Sequence, residues 1–358
     1  FIKKIEYKKL REAYIFLRDL ENRVQISFGL QTHILPEDKF LLAVLSRKMN
    51  IVGGSIEELN EKLNNKFIGH TKFVSDIFSD LFKKEQEGKV GEHKSKIDKI
   101  RSLNEGVLGR AYFKSNKNAL KFLKRLRDGP TSSHSAEKSI NDFYSILPKI
   151  LEGCSEVPMP NSAVENLVKF IESSKARESF LGLFAENKKF LELLLRIFGS
   201  SNFISDTLIK QPGLIDIVKD TESIYRFKSK ENLHNEISQS LKIRNTYKAQ
   251  QDILRQFKQG EELRIGIRYI IGEVGIEGTL KDLSSLAETH VEAAYQIAFE
   301  KLKTQYGNDK KIPDSFAIIG MGKLGGSEIN FKSDLDLIFV YEDSPNDSLF
   351  SGDVILFY

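Results

Sequence analysis

Apolar residues recur at steps of three and four through most of the first 306 positions, and this confines the chain to helices packed on one another. In residues 5–30 the pattern runs through Ile5, Leu10, Tyr14, Leu17, Val24 and Phe28. It breaks from Gln31 to Pro36, where Pro36 suits the first turn of a new helix. Residues 37–49 and 55–83 read as two further amphipathic helices, separated by Gly53 and Gly54. Lys84 to Lys99 is rich in Lys, Glu, Gln, Gly and His, carries too little apolar surface to pack, and reads as a linker. Helical periodicity returns at Ala119 to Arg127 and stops at Gly129-Pro130. After a loop from Thr131 to Ser135 it resumes over Ala136 to Leu151. Pro158-Met159-Pro160 marks a turn, and residues 161–198 supply two helices. Gly199-Ser200-Ser201 is placed to end one helix and cap the next, and Pro212 lies in the connection that follows. Residues 232–259 and 279–306 are long and amphipathic, and no short repeat of solenoid type appears.

The character changes at Pro313. SFAIIG and LDLIFVY are compact apolar runs, rich in branched and aromatic residues and short enough for buried strands, with a glycine-rich turn and a polar segment between them. A helical scaffold therefore leads into the first strands of an α/β or α+β domain. The chain starts on FIKKIEYKKL, a helix already under way without an initiator Met, and ends on VILFY with no turn after it. Both ends read as cuts in a longer polypeptide.

Composition bounds the rest. With 54 basic and 50 acidic residues the net charge is +4, a nearly balanced surface that gives no argument for nucleic acid. No apolar run is long enough to span a membrane. The single cysteine, Cys154, excludes an internal disulfide framework and a Cys-rich metal site, makes a cytoplasmic location the natural reading, and has no nearby His, so it reads as inert. The six His, at positions 33, 70, 93, 134, 234 and 290, show no metal-ligand spacing. Arg255, Arg264 and Arg268 share a helix, where surface ion pairs with Glu261 or Glu262 are the plainer reading against a nucleotide-facing role.

Chemistry concentrates in IIGMGKLGGSEINFKSDLDLIFVYED, residues 318–343. A phosphate-binding P-loop fails, because Ala317 stands at the required Gly and Leu324 follows Lys323. Gly320-Met321-Gly322-Lys323-Leu324-Gly325 does match the dinucleotide fingerprint, with Glu342 and Asp343 near the distance of the ribose acid. Against it stand Asp334 and Asp336. Two apart on a strand, they share a face, and in a doubly wound sheet both faces are covered. Burying a pair of carboxylates there demands a strong partner, which a dinucleotide does not supply. A divalent metal supplies it. Mg²⁺ takes oxygen ligands and shares them with substrate phosphates, and paired metals clamp the attacking and leaving oxygens of nucleotidyl transfer. The turn at Gly325, Gly326 and Ser327 lets backbone approach a triphosphate, with Ser327 a natural hydroxyl donor. Lys323 is open to two readings, a charge for phosphate and a solvated turn residue. The plain alternative is a tight turn with solvated edge acids.

GMGKLGGSEINFKSDLDLIFVY resembles the GKLGG-x-E-L-x-x-x-S-D-x-D-L-x-F signature of glutamine synthetase adenylyltransferases, members of the nucleotidyltransferase superfamily. FGSSNFISDTLIKQPGLIDIV, LRQFKQGEELRIGIRYIIGE and LKDLSSLAETHVEAAY are similar to the segments that open a catalytic half, so the resemblance spreads over residues 190–345. It implies a mainly α-helical chain whose helical bundles lead into a truncated α+β nucleotidyltransferase (polymerase beta-like) domain. REAYIFLRDLENRVQISFGLQTHILPED resembles the bundle that closes the first, adenylyl-removing half, and ALKFLKRLRDGP and LPKILEG resemble the connecting region. The implied order is 1–100 as the end of the first half, 101–189 as the connecting region, and 190–358 as the start of the adenylyltransferase half, helical over 190–312 with its core over 313–358.

The resemblance further implies AMP transfer from ATP to a tyrosine of glutamine synthetase, with removal by phosphorolysis in the other half, in the control of nitrogen assimilation. Asp334 and Asp336 would bind Mg²⁺, and Gly325, Gly326 and Ser327 would hold the ATP phosphates. Ser327 stands where the family commonly has Arg. The family's third carboxylate would lie beyond Tyr358, which implies that the chain alone is inactive. Implied partners are glutamine synthetase, the PII signalling protein and glutamine as effector, with no residues assigned to the last two. A non-catalytic docking module for glutamine synthetase or PII, and a related uridylyltransferase, are the competing readings.

Overall fold

The computed structural model describes residues 4–28, 34–81, 116–129, 137–243, 246–306 and 316–341. The linker reading of Lys84 to Lys99, the loop from Thr131 to Ser135, the acids Glu342 and Asp343, and His33, His93 and His134 fall outside them. The chain divides into two compact units, one extending to Lys210 and the other running from Gln211.

Every secondary-structure element among the described residues of the first unit is a helix. The unit comprises α1 (Lys4–Phe28), α2 (Lys39–Lys48), α3 (Ile56–Leu81), α4 (Asn116–Asp128), α5 (Glu137–Ser155), α6 (Pro160–Ser174), α7 (Arg177–Glu186), α8 (Lys188–Phe198) and α9 (Asn202–Lys210). Helix α2 starts at Lys39 rather than at Pro36, because Asp38 caps it by accepting from the Leu41 N–H at 2.9 Å. Residues 161–198, expected as two helices, form three. Lys175 adopts a left-handed conformation (φ 55°) that ends α6, and Asn187 caps α8 by accepting from the Phe190 N–H. Gly199 ends α8 and Ser201 caps α9, as the sequence suggests. A side chain at Gly199 would meet Val157 Cγ2 at 2.5 Å, so packing as well as the turn calls for glycine there. Leu20, Val24, Ala43, Leu45, Ile51, Leu59 and Leu63 form one core, joining α1, α2 and α3.

That core encloses an ammonium. Lys48 is 5% exposed, and its Nζ donates to Ser27 Oγ at 2.6 Å. Burial, helped by the Arg23 charge, lowers its pKa to about 7.

In the second unit a 3₁₀ turn (Pro212–Leu214) leads through α10 (Ile215–Lys219) and α11 (Thr221–Tyr225) to α12 (Lys230–Lys242), α13 (Tyr247–Ile271) and α14 (Ile276–Tyr306). The expected single helix over 232–259 is therefore two, α12 and α13, each capped at its start, by Ser229 and Thr246. Helix α13 packs along α14, and α12 lies against both. Then come β1 (Phe316–Gly320), the short α15 (Gly322–Gly325) and β2 (Leu337–Tyr341). The strands pair antiparallel over all five residues, from Phe316 opposite Tyr341 to Gly320 opposite Leu337. The face that carries Phe316 packs on α14 through a parallel stack with Tyr295, ring centroids 5.3 Å apart. Ile319, Ile338 and Val340 on the other face remain nearly half exposed, so the strands are not buried on both sides, as their composition suggested.

Of the ion pairs expected for the arginines of α13, that of Arg264 with Glu261 forms, but it is buried rather than at the surface. Arg264 is 2% exposed and binds Glu261 Oε2 at 2.8 Å and the Arg226 carbonyl at 2.9 Å. Arg268 pairs with Asp282 of α14 at 2.7 Å, both side chains buried. Only Arg255, paired with Asp252, lies at the surface. A guanidinium spreads its charge over several donors, so it can be buried against a few well-placed oxygens, although Arg268 Nε has no partner among the described residues. Desolvation pushes the Asp282 carboxyl above its usual range, against the pull of Arg268 and Arg264.

Candidate active site

The glycine turn and the two aspartates come together at one end of the strand pair. Pairing continues past the strands: the Met321 N–H donates to the Asp336 carbonyl at 2.8 Å. The turn thus lies directly beside the second acid. Gly322 makes the approach possible. Its φ is +52°, and a Cβ there would lie 2.5 Å from Asp336 Oδ2. Gly325 is constrained as tightly, since its Cβ would meet the Gly320 carbonyl oxygen at 2.6 Å. Two of the glycines in GMGKLGG are therefore required by close backbone approach.

Antiparallel pairing of β1 and β2 also removes the dinucleotide reading. A Rossmann unit needs parallel strands joined by a crossover helix. Here a four-residue helix and a short loop return the chain alongside itself.

Asp334 and Asp336 sit in the extended segment immediately before β2 rather than within it, and both are exposed. Two solvated carboxylates carry no burial cost and form no ion pair among the described residues, which leaves their oxygens to an outside cation. No cluster of three or more His, Cys, Asp or Glu stands ready for a metal among the described residues. The donor set fits Mg²⁺, which is commonly held by one or two carboxylates and completed by water and substrate phosphate.

The turn differs from the expected phosphate cradle in one respect. The N–H groups of Gly325, Gly326 and Ser327 donate to the carbonyls of Met321, Gly322 and Leu324, at 3.0, 3.1 and 3.0 Å. Their backbone donors are thus engaged within the turn, and what these three residues offer a phosphate is the Ser327 hydroxyl. Ser327 takes a left-handed conformation, φ 54°.

Between turn and acids, Ile329, Asn330 and Phe331 are buried. The Ile329 N–H donates to Ser284 Oγ of α14 at 3.1 Å. The Asn330 N–H donates to Ser333 Oγ, and the Ser333 N–H returns to the Asn330 carbonyl at 3.2 Å. The Asn330 side chain is 2% exposed, and neither of its amide atoms has a partner among the described residues. The periodic pattern gave no sign of this plug, because its anchor lies 45 residues upstream.

A groove of 430 Å³ runs beside the turn, lined by Gly325, Ser327, Phe316, Tyr295, Lys230 and Glu292 among others; neither aspartate lines it. Lys230 bridges Glu288 and Glu292 at 2.8 and 2.7 Å, and hydrogen bonds to both hold its ammonium above the ordinary lysine range. A larger groove, 690 Å³, lies in the first unit between α4, α6 and α7. Its guanidinium groups are engaged: Arg125 binds Glu172 twice, at 3.0 and 2.7 Å, and Arg177 donates to the Leu126 carbonyl. Cys154 is free and fully buried, and desolvation pushes its thiol up to about 12, in keeping with the inert role expected of it. No described helix is long and apolar enough to cross a membrane.

Residues 191–353 match the family model described as glutamate-ammonia ligase adenylyltransferase. Residues 1–82 match that of the GlnD PII-uridylyltransferase. Across 97% of its length the chain is 26% identical to a bifunctional glutamine synthetase adenylyltransferase/adenylyl-removing enzyme of Thioalkalivibrio sulfidiphilus. Over 96% it is 28% identical to the protein of the same name from Neisseria meningitidis serogroup A, and over 98% it is 25% identical to that of Nitrosococcus oceani. The chain spans 37–38% of the length of these relatives. The motif with its turn-and-acid geometry, the family match over residues 191–353 and the alignment along nearly the whole chain point the same way: the chain is similar to the glutamate-ammonia ligase adenylyltransferases.

Proposed function

We propose that the chain forms part of an enzyme that transfers AMP from ATP to a tyrosine of glutamine synthetase, and that residues 316–341 are the start of its catalytic core. The observation that carries this reading is the seating of Asp336 against the glycine turn, through the Met321 N–H and the space left by Gly322. A turn and a carboxylate pair held in that register suit a nucleoside triphosphate on one side and a cation on the other.

Asp334 and Asp336 hold Mg²⁺ in this proposal. The cation, when bound, neutralises charge on the phosphates and stabilises charge that develops in transfer. The chain's own residues position the substrate. Ser327 donates its hydroxyl to a phosphate, Gly325 and Gly326 form the compact turn beside the groove in which that phosphate lies, and the exposed acids would act on it through the cation they hold. The tyrosine hydroxyl attacks the α-phosphorus in line and gives up its proton to solvent, the bond between the α-phosphorus and the bridging oxygen breaks, and pyrophosphate leaves.

The order of segments supports 1–100 as the end of a first, adenylyl-removing half that acts by phosphorolysis, 101–189 as a connecting region, and 190–358 as the start of the adenylylating half. Regulation by PII and glutamine and a cytoplasmic location belong to the same proposal and rest on the resemblance. The uridylyltransferase alternative draws on the match at residues 1–82, which contains neither turn nor acids.

The test uses the whole polypeptide in which these residues occur, with glutamine synthetase, ATP and Mg²⁺, and reads the synthetase by intact mass. AMP on a tyrosine with wild type and none with Asp334→Asn/Asp336→Asn is expected. Equal modification by both proteins would remove the site, and preference for UTP in competition would favour the uridylyl reading.

A further inference from the structure

We infer that Ser284, on α14 and outside the signature motif, is a positioning residue that holds the carboxylate pair in register with the glycine turn; the inference rests on the metal-binding reading of Asp334 and Asp336. The segment bearing the acids is fixed at two points. At its far end the Asp336 carbonyl accepts from the Met321 N–H at 2.8 Å. At its near end the Ile329 N–H donates to Ser284 Oγ at 3.1 Å, in a buried contact.

Ser284 is suited to be an anchor rather than a passive neighbour. It is 2% exposed, and its hydroxyl proton is already committed to the Leu280 carbonyl at 2.8 Å. The oxygen therefore faces the loop as an acceptor, and Ile329 supplies the donor. Ile329 and Phe331 are buried on either side of Asn330, so apolar contact seals the anchor from water. The turn closed by Asn330 and Ser333 then spans the short distance to Asp334. Removing the hydroxyl leaves a buried N–H without an acceptor, and that group can recover a partner only by drawing the loop toward water. The acids would keep their charge and lose their fixed spacing from the turn.

A matched control lies on the same helix. Thr289 is fully buried, and its hydroxyl donates to the Ser285 carbonyl at 2.8 Å, with no bond to the loop. Removing it perturbs α14 without touching the anchor.

The experiment measures binding of Mn²⁺·ATP to the full chain by water-proton relaxation, beside thermal unfolding. Ser284→Ala is expected to weaken binding about three- to tenfold, the range of one buried hydrogen bond. Ser284→Thr, which keeps the hydroxyl, should stay within about twofold of wild type on the same argument. Thr289→Val should lose stability comparably and bind as wild type. Ser284→Ala binding as wild type, or Thr289→Val weakened as much as Ser284→Ala, overturns the positioning role while the metal reading stands. Unchanged binding by Asp334→Asn/Asp336→Asn overturns the metal reading itself, and this inference with it.

Discussion

Replacing Lys48 by methionine should stabilise the chain at neutral pH, and the size of the effect follows from where the ammonium sits. In the fold its pKa falls from 10.5 to about 7, chiefly because burial penalises the charge. That depression corresponds to about 5 kcal/mol against the charged form. Methionine fills the same length of cavity with an apolar stem and forfeits one donor to Ser27, worth about 1 kcal/mol. Allowing about another kcal/mol for incomplete repacking, the net gain at pH 7 should be about 2 to 4 kcal/mol. The pH dependence carries the sign. Below pH 7 Lys48 is protonated in both states, and the folded chain bears the whole burial penalty. Between about 7 and 10.5 the unfolded chain holds a proton that the folded one has shed, so wild-type stability from this group rises with pH. The advantage of Lys48→Met should therefore be largest at or below pH 7 and disappear near pH 10. Urea unfolding followed by far-ultraviolet circular dichroism at pH 7, 8.5 and 10 measures it, with the difference between the two proteins isolating this residue from other titrations. A variant less stable than wild type at pH 7, or a difference between the two that does not shrink as pH rises, would refute the reasoning.

Two further perturbations test the second unit. Gly322→Ala puts a Cβ 2.5 Å from Asp336 Oδ2 at a residue with φ +52°. It should lower Mn²⁺·ATP affinity about tenfold or more while helical content is unchanged, since left-handed strain alone costs about 1–2 kcal/mol before Asp336 moves; unaltered affinity would mean that the contact is slack. Arg268→Met leaves Asp282 buried without its partner and should cost about 3–5 kcal/mol. Because desolvation already raises the Asp282 pKa, the loss should be smallest in acid and grow as pH rises. The double variant Arg268→Met/Asp282→Leu should recover most of it in urea titrations.

Helix identity was legible wherever a local signal decided it, and failed where a side chain intervened. Gly199 and Ser201 end and cap their helices as read, since glycine and serine act on their own turn. The extra break at Lys175 carried no such mark, because lysine rarely takes a left-handed conformation and does so here at a helix end. The division between α12 and α13 was hidden for a related reason: the apolar period on either side of Thr246 continues as if unbroken. Arg264 and Arg268 were read as surface groups because charge alone argues for solvent. The pairing of Arg264 with Glu261, three residues away on the same helix, follows from spacing, but the burial also depends on the Arg226 carbonyl and Asp282, which no linear spacing brings near.

The candidate site divides along the same line. Its glycines and acids are close in sequence, so their types and spacing already pair a glycine turn with two carboxylates, but that Gly322 is the residue that meets Asp336 follows only from the fold. The choice between parallel and antiparallel return did not follow from the glycine pattern, which fits a dinucleotide fingerprint equally well; the carboxylate pair decided it, since two acids beside each other need a partner that a doubly wound sheet withholds. What the motif cannot contain is its own support. The loop from Ser327 to Asp334 holds a buried Asn330 whose amide atoms have no partner among the described residues, and it is pinned by a serine 45 residues upstream. A helix that packs its apolar stripe on α13 thereby also carries the acceptor that fixes the acids. Sequence around the carboxylates thus specifies the chemistry available to them, whereas the geometry in which that chemistry operates is set by α14.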